Sequence, residues 1–408
     1  MTSTGFVTAG NGPANAPANA PAGNPAAAAA SDDPALARLI DQVRAARARQ
    51  GALDIRGGGT KAFYGEPSRG GEPLSLRELS GISSYEPSEL VVTVRAGTPL
   101  AELEAALAER GQCLAFEPPR FAPAAEAGDV VAAVGGTVGG TVGGMVAAGL
   151  AGPARAAVGG VRDFVLGATM LNGRGEVLTF GGQVMKNVAG YDVARLLAGS
   201  LGTLGAILEV SLKVLPMPAA TATLRFDLEQ AEALRRLNAW GGEPLPLNAS
   251  AWWEHTLVVR LSGAAAAVQA ATRKLGGEVI EPATAATFWR GLRDHGDEFF
   301  TSAVAATQGN ASLWRLGVPA TTPPLKLPGE QLVEWGGAQR WLCTGAPAQA
   351  VREAAAAVGG HATLFRARDK SVGVFSPLSA PLLRIHRELK RAFDPAGVFN
   401  PGRMGAGL

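Results

Sequence analysis

Two glycine-rich stretches are the part of this sequence best suited to chemistry. Arg56-Gly57-Gly58-Gly59-Thr60-Lys61 follows the apolar run from Leu53 to Ile55, where a strand would deliver it to a site. Glycine pairs then recur at Gly135-Gly136, Gly139-Gly140 and Gly143-Gly144, with Gly159-Gly160-Val161-Arg162-Asp163-Phe164-Val165-Leu166-Gly167 downstream. A residue without a Cβ takes positive φ freely and lets backbone N–H groups close on a ligand, and an anion such as a pyrophosphate is the natural guest. Two such loops suggest a clamp. Neither is a standard nucleotide fingerprint: Gly59-Thr60-Lys61 reverses the order a P-loop needs, and no G-x-G-x-x-G opens a helix after the first strand. The plainer reading is that glycine pairs make flexible turns in a chain rich in alanine and glycine.

Other reactive side chains are sparse. The four histidines, His255, His295, His361 and His386, show neither H-x-x-H nor H-E-x-x-H spacing, and each reads as surface or core structure. Cys113 and Cys343 lie far apart with no C-x-x-C pattern, which excludes an iron–sulfur cluster built by this chain alone. They read as buried structural thiols in a reducing compartment. With a net charge of +2 and no basic cluster, the chain does not recruit a nucleic acid or an anionic membrane by bulk charge.

The elements that must position these loops are legible in outline. At 408 residues and 47% hydrophobic content the chain is long enough to bury two cores. Residues 1–33 are rich in alanine, proline and asparagine, with no basic start and no apolar core; they are expected to form a disordered tail, neither signal peptide nor anchor. A helix is expected from Pro34, capped by Asp32 or Asp33, with Leu36, Leu39, Ile40 and Val43 on one face. Residues 90–94 read as a buried strand and 99–110 as a helix with Leu100, Leu103 and Leu107 inward. Strands at 164–171 and 176–180 flank the turn Asn172-Gly173-Arg174-Gly175, and alternation from Leu208 to Val214 predicts a half-buried strand ending at Pro216. The apolar stretch 131–150 is broken by glycine pairs, so no membrane span is expected there. Met217-Pro218 marks a domain boundary, beyond which strands near 222–226, 256–261 and 312–318 alternate with alanine-rich helices. A last helix carries Leu382, Leu383, Ile385, Leu389 and Phe393 and stops at Asp394-Pro395.

Several motifs together carry a resemblance: residues 53–61; Phe116-Glu117-Pro118-Pro119; Thr141-Val142-Gly143-Gly144-Met145-Val146-Ala147; residues 161–167; and Met185-Lys186-Asn187-Val188-Ala189-Gly190-Tyr191-Asp192. Gly199-Ser200-Leu201-Gly202-Thr203-Leu204-Gly205 and the closing Asn400-Pro401-Gly402-Arg403-Met404 continue it. These resemble the flavin-binding domain of the vanillyl-alcohol-oxidase or PCMH type, and more narrowly the family of FAD-binding subunits of bacterial glycolate oxidases. The resemblance covers most of the chain beyond residue 34 and is dense only in the first half. It implies an α+β fold: a PCMH-type FAD-binding domain of two α+β subdomains over 34–216, a smaller α+β cap over 217–375, and a segment 376–408 returning to the FAD domain. FAD is implied as cofactor, held non-covalently because no histidine lies in either loop. The contacts implied are Arg56, Gly57, Gly58, Gly59, Thr60, Lys61, Pro118, Gly140, Thr141, Val142, Gly143, Gly144, Met145, Ala148, Arg162, Asp163 and Ile207. Gly-Gly-Thr-Val occurs at 135–138 and again at 139–142; the later copy is preferred because it runs into Met145, with Gly139 or Gly140 as an alternative contact. Arg162 and Asp163 pair locally or touch the cofactor, and Lys186 and Asn187 are similar cases, whereas Tyr191 and Asp192 read as scaffold, Asp192 capping a helix that continues through Leu196. Leu201 stands where related dehydrogenases often carry glutamate.

The function implied is oxidation of glycolate, a 2-hydroxy acid, to glyoxylate. Such chemistry needs a base for the hydroxyl proton and a cation for the carboxylate. No base is identified, and the histidine-rich, acidic cap of related catalytic subunits is missing. The resemblance therefore implies a subunit working beside a second flavoprotein chain and an iron–sulfur chain, cytoplasmic, with any contact to the inner face of the membrane made through partners. A free-standing FAD oxidoreductase using arginines and tyrosines of its cap is the alternative, as is a structural subunit without flavin. All seven tryptophans fall beyond residue 239, where they fill a core or form a partner surface.

Overall fold

The computed structural model describes residues 33–121, 140–182 and 192–408. The tail 1–32, Gly135, Gly136, Gly139, Lys186, Asn187 and Tyr191 lie outside the described residues. The first helix, Pro34–Ala48, starts where the sequence predicts: the Asp33 carboxylate accepts the N–H groups of Ala35 and Leu36 at 2.9 and 3.3 Å, and Leu39, Val43 and Ala46 are buried. Beneath it β1 (Leu53–Arg56) and β2 (Glu72–Ser75) pair in parallel.

Among the described residues, seven further strands follow in the first half: β3 (Ile82–Glu86), β4 (Val91–Arg95), β5 (Gln112–Cys113), β6 (Val165–Leu171), β7 (Val177–Gly181), β8 (Ala206–Lys213) and β9 (Leu215–Pro216). Five of them form an antiparallel sheet in the order β3-β4-β8-β6-β7, and β5 pairs with β9. One face is covered by the helices Leu100–Ala108 and Val142–Ala148, whose Leu100, Leu103, Leu107, Met145 and Val146 pack on Val92, Val94, Val210 and Leu212. The alternation in β8 is not the simple half-buried pattern expected. Thr169 pairs with Glu209 but Met170 with Ile207, so Leu208 is the extra residue of a bulge. The slip turns Ile207 into this core and sends Leu208 and Ala206 to the opposite face, under the first helix.

The second half is an eight-stranded antiparallel sheet in the order β13-β10-β12-β11-β15-β16-β14-β17. Its strands are β10 (Ala220–Asp227), β11 (Leu247–Trp253), β12 (Thr256–Gly263), β13 (Glu278–Ile280), β14 (Ser312–Gly317), β15 (Glu330–Glu334), β16 (Gln339–Thr344) and β17 (His361–Arg366). Helices Gln230–Gly241, Ala265–Leu275 and Ala348–Ala356 contribute to clusters on this sheet. Another cluster joins Trp289, Leu292, Phe299, Phe300, Trp341 and Phe365 to Tyr64, Phe121 and Leu150 of the first half, so the two halves share an apolar core. Trp289, Trp314, Trp335 and Trp341 are buried, which makes these rings core rather than surface.

After the helix Ala380–Phe393 the chain returns to β1: Leu53 N–H donates to Val398 O at 2.7 Å, and Asn400 N–H donates to Leu53 O at 3.0 Å. In that helix Leu382 and Ile385 face solvent, while Lys390 is buried. The cysteines are only partly buried and unpaired, a correction to the expectation of buried thiols; desolvation and nearby carboxylates push both thiols up, which keeps them unreactive.

Candidate functional site

The two glycine loops meet backbone to backbone. A Cβ on Gly57 would lie 2.3 Å from Thr141 Oγ1, and one on Gly58 would lie 2.8 Å from Gly140 Cα. Gly140 adopts φ +82° and faces Thr60 and the Lys61 ammonium. Only glycine permits this approach, so β1 and the start of the helix Val142–Ala148 are held edge to edge. Thr141 caps that helix, its Oγ1 accepting from Gly144 N–H at 3.3 Å. Val142, Met145 and Ile207 turn their side chains into the core, leaving only their backbone atoms for a ligand. Gly143 is required by packing: a Cβ there would stand 2.7 Å from Ala96 Cβ, whereas Gly144 meets nothing closer than 3.4 Å.

The other residues singled out divide. Arg56 pairs with Asp54 at the exposed end of β1. Pro118 is buried, and Ala148 is buried in the shared core. Arg162 is exposed, and the Asp163 carboxylate accepts Gly160 N–H at 2.8 Å, a local helix cap. Asp192 likewise accepts from Arg195 N–H at 3.2 Å, but the turn it starts is the 3-10 segment Ala194–Leu197 rather than an α-helix. Leu201 takes φ +51°, and its carbonyl accepts from Asn400 Nδ2 at 2.7 Å.

A flavin dinucleotide fits these loops. Lys61 projects toward the seam between them, and among the described residues its ammonium has no hydrogen-bond or ion-pair partner; Asp294 acts on it from a distance and the Phe121 ring lies 5.6 Å away. Burial pushes its pKa down to about 8, with Asp294 opposing. A diphosphate in the seam would satisfy that cation.

Where the first loop ends, a small cavity opens between the two halves, with Phe121 and Leu150 on one wall. The opposite wall carries polar groups that sequence spacing did not reveal. Glu334, 3% exposed, ends β15; its Oε2 accepts Trp341 Nε1–H at 2.6 Å and Gln339 Nε2–H at 2.9 Å. Arg315 on β14 donates from Nε to Gln339 Oε1 at 2.6 Å, lies 5.1 Å from the Trp335 ring, and has no ion-pair partner among the described residues. Arg293 differs, since Asp294 takes it up in two hydrogen bonds of 2.8 and 2.7 Å. His295 stacks on Phe300 at 3.6 Å with its Nδ1 sealed and unpartnered. Burial, with Arg366 and Arg315 adding, holds its pKa well below the usual imidazole range, so the ring is neutral. Burial pushes Glu334 up to about 7 against the pull of Trp341, Gln339 and Arg315, Asp297 adding to the rise. The sequence offers the pair Gly336-Gly337 beside Glu334 as a local signal; in the structure Trp335, Gly336 and Gly337 are three consecutive residues at positive φ.

A family model described as an FAD binding domain matches residues 35–139. Glycolate oxidase subunit GlcE of Escherichia coli is 45% identical over 370 residues, covering 91% of this chain and 97% of that protein. The chain belongs to the GlcE family. Glycolate oxidase subunit GlcD of Bacillus subtilis is 30% identical over 44% of this chain and 35% of its own length, and a D-lactate dehydrogenase of Anaerostipes hadrus is 32% identical over 40% and 31%. Among solved structures, an alkyldihydroxyacetonephosphate synthase matches with a TM-score of 0.59 at 14% identity, over 89% of this chain and 75% of that one, a likeness of fold alone. The cofactor of this GlcE-family chain is FAD. Among its described residues no helix is long and apolar enough to cross a membrane.

Proposed function

We propose that this GlcE-family chain is the FAD-binding subunit of an oxidoreductase complex that converts glycolate to glyoxylate. The observation that carries the reading is the interlocked pair of glycine loops, beside the unpartnered Lys61, in a chain that matches a glycolate oxidase subunit along nearly its whole length. FAD supplies a two-electron acceptor for the carbinol hydrogen. The residues that would hold it are the backbone at 57–60 and 140–144, which lines the seam, and Lys61, which would offer charge to the diphosphate.

The partners we propose are a second flavoprotein chain, supported by the likeness to subunit GlcD, and an iron–sulfur chain that takes electrons onward; the complex works in the cytoplasm and touches the membrane through those partners. We retain non-covalent binding, since neither described loop offers a histidine. The test is the visible spectrum of the purified chain, alone and with its partner chains, under anaerobic conditions. A flavin band bleached by glycolate when the partner chains are present is the expected result. Absence of flavin from well-folded protein overturns the reading.

A further inference from the structure

We propose that the cavity between the two halves is a binding site for a small 2-hydroxy acid, in which Arg315 anchors the carboxylate and Glu334 accepts the hydroxyl proton. This rests on the glycolate reading above and deepens it, because it puts an anion site and a base inside a chain whose spacing shows neither.

Charge and geometry select these two groups. A small carboxylate entering an enclosed cavity must find a cation that is not already neutralised. Arg293 is taken up by Asp294, whereas Arg315 makes one side-chain hydrogen bond, to neutral Gln339, and lies against the Trp335 ring. Gln339 connects the cation to the acid: its Oε1 accepts from Arg315 and its Nε2 donates to Glu334. Both donors to Glu334 converge on Oε2, which orients the carboxyl and leaves Oε1 without a side-chain donor. The groups facing Glu334 are Asp297, Arg315 and Gln339, with His295 on the same cavity wall. His295 is the weaker base, since it holds a proton only well below the usual imidazole range. A carboxyl titrating near neutrality is matched to the task. In the step, the substrate O–H bond breaks, its proton bonds to the Glu334 carboxylate and its electron pair closes the new C=O bond as the carbinol C–H bond breaks; the acceptor for that hydrogen with its two electrons is what FAD would supply when bound.

The test is binding, read separately from turnover. Oxalate, an unreactive dicarboxylate, and glycolate are titrated into the full chain and followed by tryptophan fluorescence, because Trp341 and Trp335 border the groups in question, and by calorimetry. Saturable binding is expected, weakening about tenfold as pH rises from about 6 to about 8, since an ionised Glu334 repels the anion. Arg315→Met should cost about tenfold or more in affinity and Arg315→Lys less, because a lysine keeps the charge but loses the fork. Glu334→Gln should keep binding, flatten its pH dependence, and remove glycolate bleaching in the assembled complex. Flavin content and circular dichroism of each variant report folding. Lack of saturable binding, unchanged affinity in folded Arg315→Met, or Glu334→Gln that still bleaches would overturn the proposal. A chain that holds FAD and bleaches with its partners yet binds no carboxylate sinks this site and leaves the proposed function standing; a chain without FAD overturns both, since this site rests on that reading.

Discussion

Glycines that look alike in the sequence do different work. Gly143 and Gly144 read as one ligand-facing pair, yet only Gly143 is crowded, and by Ala96 rather than by a ligand. Gly143→Ala should destabilise the protein by about 1–3 kcal/mol, because Ala96 and the helix start must separate. Gly144→Ala should be neutral or stabilising by up to about 1 kcal/mol, since an alanine in a helix is favoured over glycine; thermal melts of the two variants check both. Lys61 belongs at this scale too. Its pKa of about 8 in the free protein rises when a diphosphate pairs with it, so FAD binding takes up a proton above that pH. FAD affinity should therefore fall as pH climbs past about 8, and Lys61→Met should bind more weakly with a flat profile over that range; fluorescence titration of apo-protein with FAD measures it.

At the scale of elements, periodicity located most helices and several strands, and failed where packing imposed something non-periodic. The bulge at Leu208 is one case: alternation from Leu208 to Val214 is intact in the sequence, but the pairing with β6 skips a residue and divides the strand between two cores. The final helix is another. Its buried side chain is Lys390, which donates to Asp394 Oδ2, Thr203 O and Phe399 O at 2.7, 2.7 and 2.8 Å. Asp394 in turn accepts the N–H groups of Val398 and Phe399, so a single ion pair ties the helix, the loop at 203 and the tail. Lys390→Met leaves Asp394 buried without its cation and should cost about 3–5 kcal/mol, a loss that chemical denaturation would measure. A midpoint within experimental error of wild type would show the clamp to be dispensable.

For the whole molecule, the two halves are joined by specific groups as well as by the apolar core. Glu117 accepts from Arg260 at 2.8 Å, Trp335 donates from Nε1 to Gly152 O at 3.1 Å, and Lys370 donates to Phe63 O. The tail from Val398 lies along β1, and the Asn400 side chain accepts Ile55 N–H at 2.8 Å while donating to Leu201 O. We propose the division 34–216, 217–375 and 376–408 for these units. A chain ending at 375 strips β1 of its parallel neighbour beside the first glycine loop and exposes Leu53, so it should lose FAD retention, whereas removal of residues 1–32 should not. Flavin-to-protein ratios of the two truncations decide the point.

The sequence by itself determined the fold class, the positions of the glycine loops, the family and hence the cofactor, because each depends on short-range patterns or on motifs read in order. The tertiary structure decided which glycine touches what, and it alone created the cavity. That site draws on residues 121 and 150 in one half and 293, 295, 315, 334, 339, 341 and 365 in the other, with no spacing in the chain to link them. Glu334 is an ordinary strand-end carboxylate until Trp341, Gln339 and the packing around the end of β15 remove it from water; its proton affinity is a property of burial, which no stretch of sequence carries locally.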